Sequence, residues 1–243
     1  MIQVKSKLPK LLNVIKSNRV LFYLWYNLYR KHRGDKINWF SINTVFLIDG
    51  YPRSGNTFAQ MLVKNVFSGV ETVHHFHSLG AVKISLSKSI PSFIIYRDPV
   101  NSIASNYLWE KAYYDQALRI DAINKDLLNY FLEFYIKFYE FINTKQNDIF
   151  LISFDKLIKD PEKIMIAINE RIPTGSKKDV NDIISIVSSV KETQFGAKGM
   201  LSTRPNQTKD ELKKELFPHI EEFEIFKTAN HLYEKLKKSN SNI

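Results

Sequence analysis

The chain has 243 residues, of which 44% are hydrophobic and 13% aromatic. This length and composition suit one domain with a sizeable core. The absence of cysteine excludes disulfides, thiolate metal sites and cysteine nucleophiles. The formal net charge of +10 favours polyanionic partners such as a phosphorylated ligand or an anionic lipid. Much of this charge is dispersed lysine, which is typical of a solvated surface, so we expect no nucleic acid partner.

The first predicted element is a helix over residues 8–33, with basic residues at both ends. It carries a band of aromatic side chains, namely Phe22, Tyr23, Trp25, Tyr26 and Tyr29. Such a band more often packs across a domain, and the alternative is peripheral contact with a membrane surface. We see neither a secretory signal nor a run long enough to span a membrane. The expected location is therefore the cytoplasm.

The next stretch predicts a strand, a glycine-containing turn and a helix. Residues 45–49 are mostly apolar, and turn-forming residues follow as far as Gly55. This geometry directs backbone N–H groups and a helix N-terminus at a phosphate. The spacing approaches the nucleotide-binding motif G-x-x-x-x-G-K-[ST], but Asn56 stands at the lysine position and the cation is Arg53. The stretch therefore predicts a phosphate cradle without the usual triphosphate machinery, and an ordinary strand–helix turn is the alternative.

Three of the six histidines lie within residues 74–77. Alternation along an extended segment would place His75 and His77 on one side, and histidine is suited to proton transfer near neutral pH. A zinc site is a weaker interpretation, because no third ligand stands at a convincing spacing. A polar loop with incidental histidines is the remaining alternative.

A second apolar strand over residues 91–96 runs into Arg97, Asp98 and Pro99. Asp98 and Pro99 are typical of a helix start. Arg97 would lie at the carboxyl end of a strand, where open α/β sheets bind ligands. Ser105 follows two turns into the helix. A guanidinium and a hydroxyl are good phosphate ligands; the alternatives are a salt bridge for Arg97 and a packing role for Ser105.

A third apolar strand is predicted over residues 148–155 and contains Phe154. Further helices are predicted over residues 124–142, 161–171, 177–190 and 217–238. The alternation of strands and helices predicts an α/β fold that is P-loop-like in topology. Its central sheet would be mostly parallel, with helices on both faces.

These motifs resemble the sulfotransferases that use 3′-phosphoadenosine-5′-phosphosulfate (PAPS), the bacterial type in particular. Residues 51–57, YPRSGNT, are similar to the family's loop motif Y-P-K/R-S-G-T/N-T. Arg97, Asp98, Pro99 and Ser105 match a second motif, R-[DN]-P with a serine eight residues after the arginine. The resemblance implies one domain over residues 1–243. A helical extension (1–40) would precede the family core (45–216), and a helix and tail (217–243) would follow.

The resemblance also implies roles for individual residues. The loop residues that would hold the 5′-phosphosulfate of the donor are Arg53, Ser54, Gly55, Asn56, Thr57 and Phe58. Arg97 and Ser105 would bind its 3′-phosphate. The general base would be His77, with His75 as the close alternative, and Arg53 would clamp the leaving group electrostatically.

Two family features are altered in this chain. Phe154 replaces a tyrosine on the adenine side of the donor, so that hydroxyl contact is missing. Lys198 and Gly199 partly match a late R-K-G loop over the 3′-phosphate, and Arg204 could replace the missing arginine.

The sequence therefore predicts a sulfotransferase that transfers a sulfuryl group from PAPS to a hydroxyl, or less readily an amine. The product nucleotide would be adenosine 3′,5′-bisphosphate, and no metal is expected. The acceptor would be a small molecule, a lipid or a glycan. One alternative is a P-loop nucleotide kinase or other phosphotransferase. The other is a basic module that binds polyanions or a membrane surface.

Overall fold

The computed structural model contains one central sheet of four parallel strands. In chain order these are β1 (Phe46–Gly50), β2 (Thr72–His74), β3 (Ser92–Tyr96) and β4 (Phe150–Ser153). Their order across the sheet is β2-β1-β3-β4. The structure describes residues 14–33, 40–115, 123–194, 207–239 and 242–243. The predicted α/β fold with a parallel sheet is confirmed.

Helices connect and cover the strands. Within the described residues they are α1 (Arg19–Arg33), α2 (Asn56–Val66), α3 (Leu79–Ser87), α4 (Pro99–Asp115), α5 (Lys125–Asn143), α6 (Phe154–Lys159), α7 (Pro161–Arg171), α8 (Val180–Gln194), α9 (Gln207–Glu221) and α10 (Phe226–Lys237). None of these helices combines the length and apolar character that crossing a membrane requires.

Hydrophobic side chains fill both faces of the sheet. Phe46 and Ile48 of β1 lie on one face, in a core formed with α2, α7 and α8. Leu47 lies on the other face, in a core formed with α1, α3, α4, α5, α9 and α10. This alternation follows from the two-residue period of a strand. The helices therefore cover both faces, as the sequence predicted.

The strand order reverses beside β1. The chain passes from β1 to β2 on one side and then places β3 on the other side of β1. Open α/β sheets bind ligands at the carboxyl ends of strands where the order reverses in this way. Gly50 pairs with Ile95 there. A Cβ added at Gly50 would lie 2.4 Å from the Ile95 carbonyl oxygen, so only glycine fits.

Two helix predictions were wrong in detail. The helix predicted over residues 8–33 is interrupted at Asn18, and its first six residues lie outside the described part of the chain. The Asn18 side chain accepts the N–H groups of Val20 (2.9 Å) and Leu21 (3.1 Å), which caps a new helix. The helix predicted over residues 217–238 is divided between α9 and α10. The turn between them packs Phe223 and Ile225 against the core.

Candidate functional site

The loop after β1 leads into an uncapped helix N-terminus. Gly55 precedes α2 with a φ of +93°, and no side chain caps the helix. The Ser54 N–H donates to the Tyr51 carbonyl oxygen (3.2 Å). In the described part of the chain, the N–H groups of Thr57 and Phe58 have no acceptor. Such N–H groups, together with the helix dipole, attract an anion.

Two arginines and a serine from three segments meet beside this loop. The Arg97 Nη1 donates to the Arg53 carbonyl oxygen (2.9 Å), and the Arg53 Nε donates to the Ser105 Oγ (3.3 Å). The Arg97 guanidinium lies over the Phe154 ring, 4.0 Å from its centroid. The Tyr135 hydroxyl donates to the Arg97 carbonyl oxygen (2.8 Å). The fold therefore brings together Arg53, Arg97, Ser105 and Phe154, which the sequence analysis had singled out separately.

The two arginines form a concentrated positive charge. Neither guanidinium is ion-paired with a carboxylate of the described residues. Burial and the neighbouring Arg97 charge lower the pKa of Arg53. Burial also lowers the pKa of Arg97, while Asp98 acts in the opposite direction through space. Partly buried cations without an ion-pair partner favour a bound anion.

Lys209 of α9 adds a third positive charge to this region. Burial and then the charge of Arg53 lower its pKa. The sequence analysis missed Lys209 because only the packing of α9 brings it close to the loop. The predicted residues Lys198, Gly199 and Arg204 lie outside the described residues.

The side chains of Asn56 and Ser54 point into the protein. The Asn56 Nδ2 donates to the carbonyl oxygens of Tyr51 (2.8 Å) and Gly50 (3.3 Å). The buried Ser54 Oγ lies 3.5 Å from the Tyr139 hydroxyl. Asn56, which stands at the P-loop lysine position, thus stabilises the loop by hydrogen bonds and presents no charge to a ligand.

The histidine segment contacts the same loop, through the His77 ring and Gly50. After β2, His75 and His77 have φ values of +66° and +51°. The expectation of an extended segment is therefore wrong at these residues. The chain turns here because the His77 N–H donates to the Asp49 Oδ1 (3.1 Å). The two imidazole rings are nevertheless adjacent, with centroids 4.6 Å apart.

Two groups lie within hydrogen-bonding distance of the His77 Nδ1. The Gly50 carbonyl oxygen is 3.0 Å away and the Asn56 Nδ2 is 3.2 Å away. The tautomer with the proton on Nδ1 donates to the nearer group, the carbonyl oxygen, and leaves the Nε2 lone pair available. Burial, followed by the nearby charge of His75, lowers the pKa of His77 to about 3. Desolvation and the charge of Arg53 lower the pKa of His75.

Asp49 supports the histidine segment and was missed by the sequence analysis. Its carboxylate is fully buried, and its Oδ2 has no hydrogen-bond partner. Burial raises its pKa to about 7, although hydrogen bonds from backbone groups of residues including His77 and Gly50 oppose this shift. Its Oδ1 is 3.7 Å from the His77 Nδ1. An aspartate inside an otherwise apolar strand was the signal available in the sequence.

The arrangement combines an anion site and a neutral imidazole beside one loop. Within the described ranges, no three His, Asp or Glu side chains are grouped so that they could hold a metal ion. The site can bind a polyanion and accept a proton.

Comparison with known proteins gives a distant structural likeness. No protein-family model matches the chain, and no curated protein sequence matches it. Among solved structures, it is similar to the crystal structure of mouse sulfotransferase SULT7A1 complexed with PAP. The TM-score is 0.47 and the sequence identity 13%, over 80% of this chain and 90% of that chain. We therefore base the function on the geometry of the site itself.

Proposed function

We propose that this chain is a sulfotransferase that uses PAPS as its donor. The observation that carries the proposal is that three groups meet at the loop after β1: Ser105 accepts from the Arg53 side chain, Arg97 donates to the Arg53 carbonyl oxygen, and the His77 ring contacts Gly50. The donor has two separate phosphorylated positions and therefore needs two anion contacts. Arg53 and the N–H groups of α2 suit the 5′-phosphosulfate, and Arg97 with Ser105 suits the 3′-phosphate.

In the proposed reaction, the oxygen of an acceptor hydroxyl attacks the sulfur atom of the donor. The new S–O bond forms as the bond from sulfur to the 5′-phosphate oxygen breaks, and adenosine 3′,5′-bisphosphate leaves. The proton of the acceptor moves to the Nε2 of His77, which is neutral in the free protein because its pKa is low. Arg53 stabilises the negative charge that develops on the leaving phosphate.

Donor turnover tests this proposal. The protein would be incubated with sulfur-labelled PAPS and a panel of phenols, alcohols and amines, without magnesium. Release of adenosine 3′,5′-bisphosphate would be followed by chromatography. Because water is the smallest hydroxyl acceptor, donor cleavage without added acceptor is measured as well.

We expect metal-independent cleavage that His77→Asn slows by about 10²–10⁴-fold, the usual contribution of a general base. The adjacent His75→Asn is the matched control and should slow it by less than about tenfold. Equal losses in both variants would contradict the assignment of His77 as the base. Magnesium-dependent phosphoryl transfer from ATP, with the sulfur donor left intact, would overturn the proposal in favour of a nucleotide kinase.

A further inference from the structure

Helix α1 packs one face firmly against the domain. Phe22 and Tyr26 are buried, and both rings contact Phe76, with centroid distances of 5.8 Å and 5.0 Å. A Cβ added at Gly80 of α3 would lie 2.5 Å from the Phe22 Cβ, so the two helices approach closely. These contacts account for the inward aromatic side chains, which fill the core as the sequence analysis favoured.

The opposite face of α1 is also apolar. It carries four large aliphatic side chains that are 42–70% exposed: Val20, Leu21, Leu24 and Leu28. At 100° per residue their spacing gives one continuous stripe along the helix, which we call the outer stripe. A single exposed leucine is ordinary. A contiguous apolar stripe on a helix whose inner face is already packed indicates a surface that another apolar phase covers.

The charge around α1 indicates what that phase is. Residues 1–34 contain five lysines and three arginines but no aspartate or glutamate. This segment therefore carries a formal charge of +8, most of the net +10 of the whole chain. Arg19 begins α1, and Arg30, Lys31 and Arg33 lie in its last turns. An apolar helix face flanked by basic residues is typical of a helix that lies in the surface of an anionic bilayer.

We propose that the outer stripe of α1 docks this protein on the surface of an anionic lipid bilayer. The helix, about 22 Å long at 1.5 Å per residue, would lie parallel to the membrane with its aliphatic side chains among the acyl chains. A second copy of the chain fits less well, because a symmetric contact would place two strongly basic segments together. Nucleic acid offers phosphates but nothing that would cover the leucines.

Vesicle flotation with the full chain tests this inference. The probes are vesicles of phosphatidylcholine alone and vesicles containing equal parts phosphatidylcholine and phosphatidylglycerol. The test variant is Leu24→Gln with Leu28→Gln, because glutamine keeps helix propensity while removing apolar surface. The matched control is Ile158→Gln with Ile184→Gln, which removes two aliphatic side chains of similar exposure, 47% and 42%, from α6 and α8. Circular dichroism checks that every variant is folded.

The wild type and the Ile158/Ile184 variant should float with the anionic vesicles, and the Leu24/Leu28 variant should bind at least about tenfold more weakly. Binding to phosphatidylcholine alone should be weak, and salt should reduce binding to the anionic vesicles. No binding to anionic vesicles, or equal binding by the Leu24/Leu28 variant, would overturn the inference. A dimer in sedimentation that the Leu24/Leu28 variant abolishes would assign the stripe to a second copy instead. The reaction proposed above plays no part in this test.

Discussion

The half-buried guanidiniums of Arg53 and Arg97 belong to residues joined by a 2.9 Å hydrogen bond. Neighbouring like charges in a partly desolvated position repel one another and weaken a folded protein. A bound polyanion removes that cost by pairing with both arginines. At the scale of single residues, these two charges therefore favour an anion with two charged groups, as the proposed donor has.

The protonation state of His77 is a testable consequence of its position. Because its pKa is lowered to about 3, the imidazole should stay neutral between pH 5 and pH 8, with the proton on Nδ1. Nitrogen-15 NMR of the ligand-free protein measures both properties, and His77→Asn identifies the resonances. A titration near pH 6.5 would contradict the lowered pKa of His77, and a proton on Nε2 would contradict its proposed role as the base.

Asp49 should make stability depend on pH in a characteristic direction. Its folded pKa is raised from 3.8 to about 7, so the folded state retains a proton that the unfolded state releases. The stabilisation is fully present below pH 4 and is lost as the pH rises through 7. In Asp49→Asn this dependence disappears. The free energy of unfolding of the wild type, relative to this variant, should therefore fall by up to roughly 1.4 kcal/mol per pH unit between pH 4 and pH 7.

Urea denaturation over this pH range measures the difference between the two proteins. Asp148→Asn, an exposed carboxylate in the turn before β4, controls for loss of a charge. His77 must be considered beside Asp49, because its lowered pKa has the opposite effect. Its stabilisation is present above pH 6.5 and is lost as the pH falls toward 3. If the difference in unfolding free energy between wild type and Asp49→Asn does not change with pH, the raised pKa of Asp49 is contradicted.

At the scale of elements, the loop between β1 and α2 depends on the close packing of Gly55. A Cβ there would lie 2.9 Å from the Phe154 Cδ2, whereas Gly69, with a similar φ of +83°, has open space around it. Gly55→Ala and Gly69→Ala both impose a left-handed conformation that costs about 1–2 kcal/mol. Gly55→Ala should destabilise the folded protein by roughly 1–3 kcal/mol more than Gly69→Ala does, because it also displaces Phe154. If thermal unfolding shows the same loss of stability in both variants, the packing of Gly55 against Phe154 is unimportant.

The predictions from sequence were most accurate for elements that a single local pattern determines. The apolar strands β1, β3 and β4 and the start of α4 at Asp98 were identified correctly, and the Asp98 side chain accepts the Asn101 N–H (2.8 Å). The strand β2 was missed because it has only three residues and ends in a histidine. The positive φ values of His75 and His77 follow from the buried Asp49, a contact across 28 residues that no local pattern contains.

The sequence analysis weighed core packing against membrane contact for the aromatic helix at the start of the chain. In the structure, the inner face of α1 is packed on Phe76 and its outer stripe is exposed. Periodicity could not separate these faces, because both are apolar. Only the packing of α1 against α3 determines which side chains face outward.

At the scale of the whole molecule, strand order assembles the site. Arg53 follows β1, His77 follows β2, Arg97 follows β3 and Phe154 follows β4. Because all four strands are parallel, these residues lie together at the carboxyl-terminal edge of the sheet. The net charge of +10 should also attract polyanionic ligands over a distance that shortens as salt increases.

The central claim is that this edge binds a nucleotide with a 3′-phosphate, and calorimetry of ligand binding tests it most directly. Adenosine 3′,5′-bisphosphate and ADP would be compared without magnesium, using the wild type, Arg97→Ala and Arg171→Ala. Arg171 is the matched control because its guanidinium also lies over a phenylalanine ring, Phe150, at the start of β4.

We expect the wild type to prefer the bisphosphate. Arg97→Ala should weaken bisphosphate binding by about tenfold to hundredfold, the value of a charge-assisted hydrogen bond, and Arg171→Ala should bind like the wild type. Equal binding of the two nucleotides, or a preference for ADP that requires magnesium, would contradict the account.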